Sequence, residues 1–414
     1  MTMPASTTPP STTAPSTTAL PTPSDIALRS PESGIVDIMN YGRRKGGVMP
    51  LWAGEGDLPT PAFIGQAATR SLAQGETFYT WQRGLPELRE ALAAYTQRLT
   101  GQSLDAERFF VTGSGMQSIQ IALQIALDPG DAIIVPSPAW PNIVAASGLR
   151  GADVLEIAMP FVDGRFTLDM AAIEEAAKDT KTRAIFINSP SNPTGWVADL
   201  ETLKAVHDLA ERHDLWIIAD EIYARFVFGA AALPGSTPKR APSFKDVDPL
   251  SSRVIYVNTM SKNWAMTGWR IGWIEAPVEL GQVIENLIQY STSGVASFMQ
   301  RAAIVALNEG DWFVDEQIER ATANRDLLAE TFAPLNRLQV SAPDGAFYLF
   351  FKVLGESDTR QLARTLVDEI DVGLAPGTAF GPGGEPFLRM CFARDPKQIA
   401  DVADRIARWI SISA

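Results

Sequence analysis

Cysteine and histidine are nearly missing from this 414-residue chain, and basic residues are outnumbered by acidic ones. The single cysteine, Cys391, rules out an internal disulfide and fits a reducing compartment. With only His207 and His213, a metal site would need mostly carboxylates, and no such cluster stands out, so no metal is expected. The 35 Lys and Arg against 48 Asp and Glu give a formal net charge of −13, which argues against nucleic acid or an anionic membrane as partner. An anionic small ligand stays open, because a few arginines in a cleft reverse the local field. No apolar run approaches the length of a membrane span. Residues 1–25 are Pro, Ser and Thr with almost no large apolar side chains, the composition of a disordered tail. They lack the basic and apolar regions of a secretory signal and the arginines of a transit peptide. A cytoplasmic protein is expected.

What remains is 46% hydrophobic and 20% charged, an ordinary globular composition, at a length that exceeds one core. From about residue 105, short apolar runs alternate with amphipathic stretches. The runs are FFVT (109–112), AIIVP (132–136), DVLEIA (153–158), AIFIN (184–188), LWIIAD (215–220), VIYVN (254–258) and IGWIE (271–275). Strands apolar on both faces, separated by helices, predict a mostly parallel sheet covered on both sides. The expected fold is therefore α/β, a three-layer αβα domain around a seven-stranded sheet. The last hundred residues mix helices with the strands GAFYLFFKV and PFLRMCFA, an α+β unit. The expected boundaries are an arm and part of the small unit at 26–60, the large domain at 61–305 and the small domain at 306–414. In such sheets ligands gather at the carboxyl ends of strands. Asn192, Asp220, Tyr223 and Lys262 all fall there.

The segment NTMSKNWAMTGWRIGW (258–273) carries the strongest chemistry. An isolated lysine is usually a solvated surface residue. Here Lys262 follows a strand among hydroxyl side chains, where its amine can take up an aldehyde cofactor. Arg270 lies eight positions on (270 − 262), and its fork can grip a phosphate alongside Thr259 and Ser261.

This segment resembles the lysine motif of class I/II aminotransferases, the pyridoxal-5′-phosphate enzymes of the aspartate aminotransferase fold type. Further motifs of that family follow in order. SPSNPTG (189–195) resembles its Asn-Pro-Thr-Gly turn, which implies that Asn192 contacts the phenolic oxygen of the cofactor ring and lies near the substrate. ADEIYARF (219–226) resembles its Asp-Glu-x-Tyr motif, which implies that Asp220 pairs with the ring nitrogen and Tyr223 donates to the phenolic oxygen. VTGSGMQSIQIAL (111–123) resembles the phosphate loop, with the amides of Ser114, Gly115 and Met116 at a helix N-terminus. PSPAWPNI (136–143) implies that Trp140 stacks on the ring. LWAGEGDLPTP (51–61) implies that the Gly54 N–H faces the substrate carboxylate, and FLRMCFAR that Arg389 clamps it. FYTWQRGLPELREAL (78–92) implies that Tyr79 reaches the phosphate in a partner subunit, and the STSG stretch (291–294) approaches the same partner site. A homodimer with shared sites follows.

The resemblance implies transamination between an L-amino acid and a 2-oxo acid. A carbon–sulfur lyase or an aminocyclopropane-carboxylate synthase would keep the same landmarks. An amino-acid-sensing regulatory protein is the reading from another class, although the short tail leaves no room for a DNA-binding domain. Met116 departs from the family pattern, which more often places a hydroxyl, amide or lysine there. Arg43, Arg44 and Arg83 are substitutes for a cation that reads an acidic side chain. The aromatic neighbourhood of Phe347 and Tyr348 points instead to a neutral or aromatic substrate.

Overall fold

The computed structural model describes residues 21–341 and 343–412. Most of the expected N-terminal tail therefore lies outside the described residues, and its last residue, Asp25, opens a short helix, Asp25–Leu28, capped by Ser24.

Each of the seven apolar runs forms a strand of one sheet. In chain order these are β1 (Phe109–Thr112), β2 (Ala132–Ser137), β3 (Asp153–Ala158), β4 (Thr182–Asn188), β5 (Trp216–Asp220), β6 (Val254–Thr259) and β7 (Gly272–Glu275). They lie in the order β1-β7-β6-β5-β4-β2-β3. The pairs β3/β2, β2/β4, β4/β5 and β5/β6 are parallel, while β7 runs antiparallel to both β1 and β6. Burial on both faces explains why these strands read as continuous apolar runs rather than alternating ones. Ile218, Phe186, Val257 and Ile274 pack on one side, and Ile185, Ile217 and Ala219 on the other.

A second sheet of four strands holds β8 (Leu338–Ser341), β9 (Tyr348–Val353), β10 (Ala375–Pro376) and β11 (Phe387–Cys391), in the order β8-β9-β11-β10. Helices Thr359–Ile370 and Pro396–Ile412 complete this unit, and Phe350 stacks on Phe387 at 4.5 Å in its core. The N-terminal helix Gly34–Lys45 belongs to it: Lys45 pairs with Asp371 at 2.6 Å, and Met49 pairs in a parallel bridge with Val372. The Trp52 ring fills the space beside Gly42 and Gly373, at both of which a Cβ would collide with it.

The expected boundary after residue 305 falls inside the helix Ser297–Glu309. That helix packs against Ala62–Ala73 of the large unit, and Gly310 separates it from the 22-residue helix Asp311–Phe332. The apolar side chains Ala302, Ala303, Ala306 and Leu307 carry it into the core beside β1.

Candidate active site

Five strands end at one rim of the large sheet with polar residues: Thr112 on β1, Ser137 on β2, Asn188 on β4, Asp220 on β5 and Thr259 on β6. Parallel register brings Asn188 level with Asp220 and Asp220 level with Val257. The antiparallel β7 returns along the same rim, so Gly272 lies opposite both Thr112 and Thr259. A Cβ at Gly272 would stand 2.7 Å from the Asn258 oxygen and 2.9 Å from the Gly115 nitrogen. Only glycine lets this strand approach the Ser114–Gly115 loop so closely.

Above the rim is a cavity of about 490 Å³, within the range of small-molecule sites. It gathers Gly54, Gly115, Met116, Trp140, Asn192, Asp220, Tyr223, Thr259, Ser261, Lys262, Arg270 and Arg389 around one space. Both units contribute, since Arg389 comes from β11 and Gly54 from the segment before Ala62–Ala73. Ser114 caps the helix Gly115–Ala126 behind the wall, its hydroxyl accepting from the Gln117 amide at 3.0 Å.

Part of the Lys262 side chain faces the open cavity, yet loss of hydration lowers its pKa from 10.5 to about 8. Its Nζ donates to the Gly54 carbonyl at 2.6 Å and lies 5.9 Å from the centre of the Tyr223 ring. Gly54 thus meets Lys262 through its carbonyl, and a Cβ there would run into the Tyr348 hydroxyl. Asp220 is 2% exposed, and burial raises its pKa from 3.8 to about 7. Its carboxylate accepts only from the Ile222 amide, at 3.4 Å, among the described residues. A buried carboxylate so poorly satisfied calls for a donor from within the cavity. Burial also pushes Tyr223 well above its ordinary value, and its hydroxyl shares a 2.6 Å hydrogen bond with that of Tyr348.

Arg389 is 2% exposed. Its Nη1 donates to Asn192 Oδ1 at 2.8 Å, its Nη2 donates to the Trp52 carbonyl, and its Nε has no partner. The guanidinium lies between the rings of Tyr348 and Phe380, at 4.7 and 4.9 Å. Arg270 adopts φ +56° and is exposed at the cavity, with Nη1 donating to the Thr267 carbonyl at 2.6 Å. Thr259 and Ser261 share a 2.9 Å hydroxyl bond.

Tyr79 is not brought to this cavity. It is 93% exposed and, with Phe78, Thr80 and Thr292–Ala296, lines a separate surface cavity of about 370 Å³. Arg43, Arg44 and Arg83 also stay out: Arg83 pairs with Glu107 and Glu285, Arg43 borders a neighbouring cavity, and Arg44 is exposed. Tyr348 lines the cavity, whereas Phe347 is core. His207, Asp208 and Glu211 bring ligand atoms within 4.8 Å of one another on a remote helix. Yet His207 meets Ser251 at 3.1 Å and Asp208 binds Lys204, so two of the three groups already have partners outside the cluster.

Sequence reasoning missed Asn188, whose Nδ2 donates to the Asp220 carbonyl and whose Oδ1 accepts the Asn192 amide. Its signal was the terminal asparagine of AIFIN. It also missed the wall formed by Ser33, Ile35, Val36 and Met39, for which no motif exists.

The chain is similar to known proteins over most of its length. The sequence model described as aminotransferase class I and II matches residues 47–406. An aspartate aminotransferase of Streptomyces avermitilis is 34% identical over 376 residues, 88% of this chain and 89% of that protein. An arginine–pyruvate transaminase of Pseudomonas aeruginosa is 33% identical over 363 residues, 87% of this chain and 89% of its own length. The solved structure of Thermus thermophilus aspartate aminotransferase with maleate superposes with a TM-score of 0.85 at 32% identity, covering 94% of this chain and all of that one. The chain belongs to the class I and II aminotransferases, of fold type I. It is a transaminase of amino acids and 2-oxo acids.

Proposed function

We propose that this aminotransferase works with pyridoxal 5′-phosphate in the 490 Å³ cavity, anchored by Lys262. The carrying observation is the pair of opposite groups facing one cavity: Asp220, buried and short of a hydrogen-bond donor, and Lys262, half-buried with its amine on the Gly54 carbonyl. They fit the two ends of that cofactor, a ring nitrogen that carries a proton and an aldehyde that takes an amine.

The Ser114, Gly115 and Met116 amides at the start of their helix, with Thr259, Ser261 and Arg270, hold the phosphate. Tyr223 and Asn192 donate to the ring oxygen, and Trp140 covers the ring face. Asp220 keeps the ring nitrogen protonated. When bound, the cofactor supplies a sink for negative charge that develops at the substrate α-carbon. Arg389 grips the α-carboxylate through its fork and orients the α-C–H bond. Gly54 completes that end of the site. The Lys262 amine, with its pKa near 8, takes the α-proton as general base close to neutral pH.

Lys262→Ala is expected to remove the visible absorbance of the bound cofactor and all turnover. A variant that kept both would end this reading. We further propose two units, 26–60 with 311–414 and 61–309, divided at Gly310, and a homodimer. Exposed Phe78, Tyr79, Trp81 and Tyr290, at 83, 93, 66 and 88%, support the dimer, since so much aromatic surface calls for a partner. The lone buried cysteine suits a reducing cytoplasm.

A further inference from the structure

The cavity holds three cations among the described residues that line it: Lys262, Arg270 and Arg389. Each has a task under the reading above, on which this inference rests. Lys262 anchors the cofactor, Arg270 meets its phosphate and Arg389 takes the α-carboxylate. No fourth cation lines the cavity to meet a carboxylate on the substrate side chain.

Apart from Ser33 and Asn142, the remaining wall away from the strand ends is mainly apolar and comes from two directions. Helix Gly34–Lys45 contributes Ile35, Val36 and Met39, on the same unit as Arg389. Met116 and Ile119 face the cavity from the helix that starts at Gly115. Val36 is 49% exposed, an apolar side chain left open at a cavity wall. Asn142, which also lines the cavity, donates its amide to the Met116 sulfur at 3.8 Å. The described residues lining the surface cavity beside Tyr79, Thr77–Thr80 and Thr292–Ala296, include no cation either.

We propose that Ile35, Val36, Met39 and Met116 read the substrate side chain, and that the preferred amino donors and 2-oxo acids carry an uncharged, apolar side chain. A carboxylate against this wall would lose its hydration without gaining a partner. An aliphatic or aromatic side chain covers Val36 and is buried in turn. Two methionines make the wall adaptable, so several apolar side chains of different shape are accepted.

The test compares half-reactions of the holoenzyme, following the cofactor spectrum with L-leucine, L-methionine and L-phenylalanine against L-aspartate and L-glutamate. The expected kcat/KM is at least about 100-fold higher for the apolar donors, in line with the cost of an unpaired buried charge. Equal or better use of aspartate or glutamate overturns the proposal while leaving the transaminase reading intact. A spectrum unchanged by every donor overturns both. Binding gives a second readout, since 4-methylpentanoate is expected to bind the holoenzyme at least about tenfold more tightly than glutarate. The reverse order overturns the proposal and would direct attention to Arg43 and Arg394, in the neighbouring cavity that shares Met39, Trp52 and Ala53 with this one. Val36→Lys, at an exposed helical position, is expected to raise glutarate affinity and aspartate turnover and to lower leucine turnover. Improved leucine turnover in that variant also overturns the assignment.

Discussion

Asp220 and Lys262 share a cavity but respond to burial in opposite senses, and pH separates them. Folding raises Asp220 to about 7 from 3.8, so between those values the folded chain binds more protons than the unfolded one. Its contribution to stability therefore falls as pH rises from about 4 to 7. Folding lowers Lys262 to about 8 from 10.5, so the unfolded chain binds more protons there, and stability is regained as pH rises through that window. For protein stripped of cofactor, the melting temperature of Asp220→Asn minus that of the native chain is expected to grow between pH 4 and 7. Lys262→Met is expected to remove the gain between pH 8 and 10.5. A difference that stays flat across both windows would contradict the burial argument. In the loaded enzyme, Asp220→Asn is expected to lower kcat by about 10²–10³, the scale for removing one preorganised electrostatic partner. Steady-state kinetics with the best amino donor measures this.

At the scale of elements, close approach decides the site. Strand β7 reaches the Ser114–Gly115 loop because Gly272 has no side chain, and Gly272→Ala would press a methyl on the Asn258 oxygen and the Gly115 nitrogen. We expect a loss of about 1–3 kcal/mol in urea unfolding, the usual cost of overpacking, together with weaker cofactor binding. A neutral result in both would show that the strand can yield. The strand ends were legible in the sequence because parallel strands buried on both faces leave uninterrupted apolar runs, and the runs FFVT, AIFIN, LWIIAD and VIYVN close on a polar residue. Helix Gly34–Lys45 was not legible as part of the site. Its apolar face reads like any core-facing helix, and only packing through Trp52, Gly42 and Gly373 turns Ile35, Val36 and Met39 towards the cavity. The division proposed at Gly310 has no signal in the sequence for a related reason. Two helices adjoin without a polar linker, and nothing in composition tells which unit the first one joins.

For the whole molecule, one chain leaves Tyr79 at the surface with its aromatic neighbours. Sedimentation equilibrium is expected to give about 90 kDa, twice the 44.8 kDa chain. Mixing Tyr79→Ala with Lys262→Ala subunits is expected to restore activity beyond that of either variant alone, since a hybrid dimer would hold one complete site. A monomer at micromolar concentration, or hybrids with no gain, would remove the shared-site proposal.

The sequence by itself determined the family, the sheet and the residues brought together at the cavity, because chemistry at strand ends needs particular residue types at short, fixed spacings. Tertiary structure alone decided what surrounds the substrate beyond its α-carbon. That wall joins positions 35–39 to 116 and 389 across more than 350 residues (389 − 35 = 354). Apolar side chains serve equally well in any core, so only the folded chain shows which of them face the ligand.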